Sequence, residues 1–149
     1  MTQTPLNGAL LIGARDVTRD ATFTACRAVD GATLKVAFSC AAPEDIRDAC
    51  ALADAAFATF RNTSLSARAT FLDAIAEEIE ALGDLLIERA HAESGLPIAR
   101  LTGERGRTMG QLRMFASLLR DGRCVDPRID PALPDRKPIP RADLRQIRI

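Results

Sequence analysis

Charge of one sign is what this sequence has least of: twenty basic and twenty acidic residues cancel. No global field would draw it to nucleic acid or to an anionic membrane surface, and nucleic-acid binding has no compositional support. Long hydrophobic runs are missing as well. No stretch approaches the roughly 20 apolar residues of a membrane span, and the N-terminus has no basic segment leading into an apolar signal core. A cytoplasmic location is therefore expected. Metal-binding and disulfide patterns are absent too. The four cysteines, Cys26, Cys40, Cys50 and Cys124, never fall in C-x-x-C spacing, and the only histidine, His91, is remote from them in sequence. Lysine is scarce, two against eighteen arginines. With abundant alanine, that bias suggests a GC-rich bacterial genome and says nothing of function.

What remains is a chain of 149 residues, 47% hydrophobic, enough for one core in a soluble globular domain or part of one. It divides into three regions, 1–42, 43–121 and 122–149. In the first, Ala9–Ile12 and Ala21–Val29 are β-prone, and a turn at Asp30-Gly31 leads into Ala32–Phe38, which predicts a small antiparallel hairpin or meander. The second is helical. Pro43 sits at a first-turn position, with Glu44 and Asp45 complementing the helix dipole, and Ile46, Ala49, Cys50, Ala53, Phe57 and Phe60 follow at helical spacing. A second helix is expected from Ser66 to Leu82 with the stripe Ala69, Leu72, Ile75, Ala76 and Ile79. Gly83 stops it, Asp84 is placed to cap a third helix carrying Leu85, Leu86 and Ala90, and Gly95 ends that one before Pro97 starts a fourth, running towards Arg120. The third region holds five of the eight prolines. It cannot be helical and has little apolar surface of its own, so it needs a partner surface. Arg145–Ile149 alternates as a strand does, and the sequence ends within it. Neither an internal repeat nor a low-complexity tract is present.

Few residues invite a chemical reading. Cys50 lies on a helical apolar stripe and Cys26 and Cys40 in or beside strands, so the cysteines read as buried inert thiols. His91, near a helix C-terminus and without a carboxylate or nucleophile partner, reads as structural. Glu93 and Glu104 lie on separate helices, which leaves paired-carboxylate acid/base work unsupported. On the fourth helix, Gly103, Gly106 and Gly110 share one face. Each costs about 1 kcal/mol relative to alanine, which points to close approach of another backbone; a phosphate-cradling loop would need Gly-x-Gly-x-x-Gly at a strand-to-helix turn, and none is present. A second face carries Arg100, Glu104, Arg107 and Gln111 at helical spacing, which taken alone is a solvated face with an internal Arg–Glu pair.

The stretch 85–116, LLIERAHAESGLPIARLTGERGRTMGQLRMFA, resembles the N-terminal part of the aldehyde dehydrogenase superfamily. There, a helix ending in Glu-Thr-Gly-Lys-Pro leads into a long helix ending in an aromatic-Ala pair; Glu93-Ser94-Gly95-Leu96-Pro97 and Phe115-Ala116 fill those places. Gly103-Glu104-Arg105-Gly106-Arg107-Thr108 and Leu133-Pro134-Asp135-Arg136-Lys137-Pro138 look most like the branch that oxidises α-ketoglutaric semialdehyde (2,5-dioxovalerate). The resemblance implies an α+β fragment of an α/β enzyme: an N-terminal β-hairpin or meander (1–42), about four helices belonging to the dinucleotide-binding domain (43–121), and a C-terminal extended oligomerisation arm (122–149). It implies that the fourth helix runs along the mouth of the substrate tunnel, where Arg107, with Gln111 as a second donor, would meet the carboxylate of an acidic semialdehyde.

The resemblance also sets expectations for what lies elsewhere. Such chemistry needs a thiolate, a base, an oxyanion donor and a presented NAD(P). The family carries these downstream, its cysteine following a Gly-Gln pair that no cysteine here has. No catalytic, cofactor-binding or metal residue is therefore assigned, and the chain alone is expected to bind no cofactor and to be inactive. Its expected partner is the remaining part of an aldehyde dehydrogenase or a neighbouring subunit, in a homo-oligomer when complete. A non-catalytic interaction module and a gene remnant remain as alternatives.

Overall fold

The computed structural model describes residues 6–122 and 125–146. In chain order these form β1 (Leu10–Ile12), β2 (Arg15–Val17), β3 (Thr22–Cys26), β4 (Thr33–Ser39), α1 (Pro43–Arg61), α2 (Leu65–Ala81), α3 (Gly83–Ser94), α4 (Ile98–Asp121), β5 (Arg128–Asp130) and β6 (Leu144–Gln146). The architecture is that of an incomplete α/β fragment, four helices accompanied by short antiparallel strand pairs.

The N-terminal region contains the expected antiparallel hairpin, β3–β4 turning at Asp30-Gly31, and a second one, β1–β2, before it. β1 and β2 pair around Gly13, with Leu10 opposite Val17 and Ile12 opposite Arg15; the polar Arg15-Asp16 pair hid β2 from a reading based on apolar runs. β3 and β4 pair with Thr22 opposite Ser39 and Phe23 opposite Phe38, whose rings stack at 5.6 Å. The register then shifts before Cys26 meets Thr33, and Val36 takes φ +81° within the irregularity. Arg89 of α3 holds this bulge. Its Nη1 donates to the Lys35 carbonyl at 3.0 Å, and its guanidinium lies over the Phe38 ring at 5.4 Å. The Ala28 amide also donates to the Ala92 carbonyl, 2.9 Å, so the hairpin is docked on the end of α3. Gly8 passes so close to β4 that a Cβ there would stand 2.0 Å from the Ala37 carbonyl oxygen; only glycine fits.

The start of α1 is tied to the strands by one ion pair. Arg19 donates through Nε and Nη2 to the two carboxylate oxygens of Asp45, 2.9 and 2.5 Å, and the Ala42 amide donates to Asp45 at 2.8 Å. Asp45 is only 3% exposed. It does more than complement the helix dipole, since it joins the β region to the helical region across 26 residues. Hydrogen bonding from Arg19, then from the Ala42 amide, outweighs burial and holds its carboxyl below the ordinary value of 3.8.

The chain's main packing is α2 against α4. Ala69 and Ala76 of α2 and Ala116 of α4 are completely buried, with Leu72, Ile75 and Ile79 half-buried beside them, so the expected stripe of α2 is the observed one. Ser64 caps α2 through the Ala67 amide at 3.1 Å. Along the seam, Arg113 pairs with Glu80 at 2.7 Å and Arg120 with Asp73 at 2.5 Å. Two helical details differ from expectation. α3 begins at Gly83 with Leu82 as N-cap and no side-chain cap, so Asp84 lies inside its first turn. Its buried residue is Ile87, while Leu85 and Leu86 are exposed.

α1 departs furthest. Its apolar stripe is real in spacing but largely uncovered among the described residues: Ile46, Phe57 and Phe60 are at least half exposed and Cys50 is open to solvent. The helix touches the β region at its first turn and through Leu52 near Gly13, while Phe60 meets Phe71 of α2 edge-on at 5.9 Å. A helical layer needs a second layer to bury such a face, and none is supplied among the described residues. The proline-rich region folds back on itself as a ribbon, Arg128 opposite Gln146 and Asp130 opposite Leu144, with Leu133 and Arg141 bridged. Every residue of both strands is exposed. Strand character in 145–149 is seen as far as Gln146; Ile147–Ile149 and Cys124 lie outside the described residues.

Because the carboxyl of Asp45 is depressed on folding, its contribution is complete above the ordinary value of 3.8 and is lost as pH falls below it. Asp45→Asn should therefore lower the melting temperature at pH 7, and the gap from the parent chain should narrow as pH is taken below 4. Melting curves followed by circular dichroism would show it; a gap independent of pH would remove the ion pair as its cause.

Candidate functional site

α4 is a 24-residue helix, about 36 Å long. Leu101, Arg105, Met109, Leu112, Ala116 and Leu119 recur every three or four residues as its inward face, all buried or half-buried. Arg105 stays there because its Nη1 donates to the Gly83 carbonyl at 2.6 Å, satisfying a group at the α2–α3 junction. The other faces are exposed, and one of them forms a groove.

Glu104, Arg107, Thr108, Gln111, Leu112 and Phe115 line an open depression of about 350 Å³. All six come from one helix at i, i+3, i+4, i+7, i+8 and i+11, so local structure alone suffices to assemble it. Arg107 is the cation of the groove, its side chain 74% exposed, with Nη1 3.7 Å from Glu104 Oε2. This is the internal Arg–Glu pair expected from the spacing, and the contact is ionic without a hydrogen bond. Thr108 commits its hydroxyl hydrogen to the Glu104 carbonyl at 3.0 Å. Gln111 has no side-chain hydrogen-bond partner among the described residues, so its amide is available. Leu112 and Phe115 supply an apolar wall. A guanidinium, a free amide and an apolar wall together suit a short chain ending in a carboxylate. The structure thus brings Arg107 and Gln111 to one surface.

A second depression, about 370 Å³, is lined by Arg27, Val29, His91, Ala92 and Gly95. Here His91 closes the end of α3, donating from Nδ1 to the Leu96 carbonyl at 2.7 Å, while Gly95 takes the left-handed C-cap conformation. That is the structural role expected of this histidine. Arg27 is engaged with Asp30 at 3.0 Å, and Glu93 with Arg89.

Two readings of the sequence are corrected. Cys26, Cys40 and Cys50 are free but exposed, not buried: the hairpin edges and the face of α1 that carry them have no covering layer. Nor does any backbone among the described residues approach the glycines of α4, since a Cβ at Gly103, Gly106 or Gly110 would meet nothing within 4 Å. These glycines also fail the test for a phosphate cradle. They lie in the helix interior, where amide hydrogens are spent on the helix's own bonds and unavailable to a dinucleotide. Among the described residues, no group of three or more histidine, cysteine, aspartate or glutamate side chains is placed to hold a metal ion, and no helix is long and apolar enough to cross a membrane.

Sequence reasoning missed Arg19, Arg89 and Arg105. The signal for Arg105 was its position in the apolar phase of α4, and for Arg89 the i, i+4 spacing to Glu93. Nothing in the sequence pairs Arg19 with Asp45.

The model of the aldehyde dehydrogenase family matches residues 17–131. An alpha-ketoglutaric semialdehyde dehydrogenase 2 from Azospirillum brasilense is 56% identical over 142 residues, covering 94% of this chain and 27% of that protein. An alpha-ketoglutaric semialdehyde dehydrogenase from Acinetobacter baylyi is 46% identical over 144 residues, covering 96% of this chain and again 27% of the relative. The chain thus spans about a quarter of the length of these curated relatives.

With open space at all three helix glycines, Gly106→Ala should stabilise the isolated chain by about 0.5–1 kcal/mol through helix propensity alone. Urea unfolding followed at 222 nm measures it, and a loss of stability would show that the position is crowded after all.

Proposed function

The chain belongs to the aldehyde dehydrogenase family, and from that premise we propose that it forms the N-terminal part of an NAD(P)-dependent enzyme oxidising α-ketoglutaric semialdehyde to α-ketoglutarate. The observation that carries the substrate class is the α4 groove, where the exposed Arg107 guanidinium and the free Gln111 amide stand beside the apolar surface of Leu112 and Phe115. An acidic semialdehyde would lay its carboxylate on Arg107 and its methylenes along the wall, presenting the carbonyl to groups on further polypeptide. Identity to two dehydrogenases named for this substrate supports the same reading.

The chemistry itself needs a thiolate activated by a base, and a dinucleotide to accept hydride. Cys26, Cys40 and Cys50 have no base within hydrogen-bonding distance among the described residues, and the glycines of α4 do not fit a dinucleotide. In this reading those parts belong to the remaining three quarters of the enzyme, and the chain alone is catalytically silent. The partner is that remaining part or a neighbouring subunit of a homo-oligomer, with the β5–β6 ribbon acting in the oligomerisation arm and the uncovered face of α1 packed against further structure. Regions 1–42, 43–121 and 122–149 then act as β region, helical part of the dinucleotide-binding domain and arm. A bacterial, cytoplasmic setting accompanies the proposal.

Two tests follow. In a full-length enzyme where this chain replaces the matching stretch of the Azospirillum brasilense relative, Arg107→Ala should raise KM for α-ketoglutaric semialdehyde about tenfold or more, the loss of one charge-assisted contact. KM for pentanal should change little; equal effects would remove Arg107 from carboxylate recognition. Separately, mixing the chain with the remaining three quarters of the relative should restore NAD(P) reduction that neither piece shows alone. Activity in the chain by itself would overturn the division of labour.

A further inference from the structure

Arg107 is not free to receive a carboxylate without a consequence for Glu104. Among the described residues the two are the only charged side chains lining the groove, and they stand 3.7 Å apart. An incoming carboxylate on Arg107 would be placed against the Glu104 carboxylate, a like-charge contact in partial solvent. Glu104 has one other cation in reach of its helix position. Arg100 lies four residues earlier on the same face, exposed, and without an ion-pair partner among the described residues. At rest Glu104 takes Arg107 in preference to Arg100 for two reasons. Arg100 is in the first turn of α4, where the helix dipole disfavours a cation, and a basic residue N-terminal to its acidic partner is the weaker order for an i, i+4 pair.

We propose that Glu104 is an exchangeable counter-ion that sets the groove's affinity for carboxylates. It neutralises and positions Arg107 while the groove is empty, then turns to Arg100 when a substrate carboxylate takes Arg107. This rests on the reading of Arg107 as the carboxylate-binding residue and adds the regulation of that site. Glu104 and Arg100 are positioning residues, since neither touches the substrate in this scheme. The exchange makes the empty groove overall neutral, which lowers its attraction for stray anions, and it makes binding of an acidic substrate cost one ion pair and regain a weaker one.

The test uses the same full-length chimera with four forms: parent, Glu104→Gln, Arg100→Ala and the double variant. Glu104→Gln should lower KM for α-ketoglutaric semialdehyde about two- to fivefold at low ionic strength, the range of one exposed ion pair, and should lower KM for pentanal by less. The gain should shrink in 0.5 M salt. Arg100→Ala should raise KM about twofold in the parent and have no effect in the Glu104→Gln background, because without the glutamate there is nothing for Arg100 to receive. An unchanged or raised KM in Glu104→Gln overturns the proposal. So does an Arg100→Ala effect of equal size in both backgrounds, which would make Arg100 a direct attractor of substrate.

If Arg107→Ala is selective for the acidic substrate while Glu104→Gln is silent, the counter-ion role fails and the binding role of Arg107 stands. If Arg107→Ala is unselective, the underlying reading fails first. A readout independent of catalysis uses the chain itself: titrated with glutarate, the Arg107 Nε–H resonance should shift further at each concentration in Glu104→Gln than in the parent. Equal shifts overturn the proposal even where the chimera is inactive.

Discussion

Contact between α2 and α4 through alanine is the constraint on which the rest of this structure depends. Ala69, Ala76 and Ala116 are wholly buried because small side chains let the two helix backbones come close, and burying them costs no side-chain entropy. Once the seam is set, the orientation of every other part of α4 follows. Leu101, Arg105, Met109 and Leu112 turn inward, and Glu104, Arg107 and Gln111 turn outward as a group. The groove is thus a by-product of that packing, lying beside the packed face and sharing Leu112 with it. The ion pairs of Arg113 with Glu80 and Arg120 with Asp73 lie at the exposed margin of this seam, where such pairs contribute about 0–1 kcal/mol each. They fix register more than they supply stability.

A seam of alanines buries little apolar area, and the inventory of exposed side chains shows the deficit. Phe23, Phe57, Phe60, Phe71 and Met114 are all half exposed or more and Phe115 nearly so, and no large side chain among the described residues is fully buried. Patches of this kind are covered in a complete fold or used as interfaces. The chain matches only 27% of the length of its relatives, and a layer of helices in an α/β enzyme normally rests on a sheet. The same incompleteness explains the open cysteines and the open glycines. Both were expected to be enclosed, and both lie on faces that nothing among the described residues covers.

Arginine does much of the long-range joining. Arg19 links the strands to α1 through Asp45, Arg89 holds the bulge of β4 and stacks on Phe38, and Arg105 satisfies the junction between α2 and α3. A planar guanidinium with five donors suits such places, since it bridges a carbonyl, a carboxylate and an aromatic face at once. Arg107 differs from these three in having only a loose contact with Glu104. Its looseness is what leaves it available to a ligand.

How much of this was legible beforehand depends on how local the cause is. The helices of 43–121 were readable to within a few residues, because Pro43, Gly83, Gly95 and Pro97 are local signals and the apolar spacing of α2 repeats every turn. The groove was readable for the same reason: Arg107 and Gln111 share a face by helix geometry, whatever surrounds them. The family was readable from the Gly95-Leu96-Pro97 break and the spacing to Phe115-Ala116. The sequence by itself therefore determined the helices, the composition of the α4 faces and the ancestry, since each follows from interactions spanning no more than a few turns. Tertiary structure alone decided that β2 exists beside β1, that Arg19 meets Asp45, that Ile87 and not Leu85 or Leu86 is buried, and that the stripe of α1 is left bare. Those outcomes depend on which surfaces are within reach across tens of residues, and periodicity along a chain carries no information about what will stand opposite it.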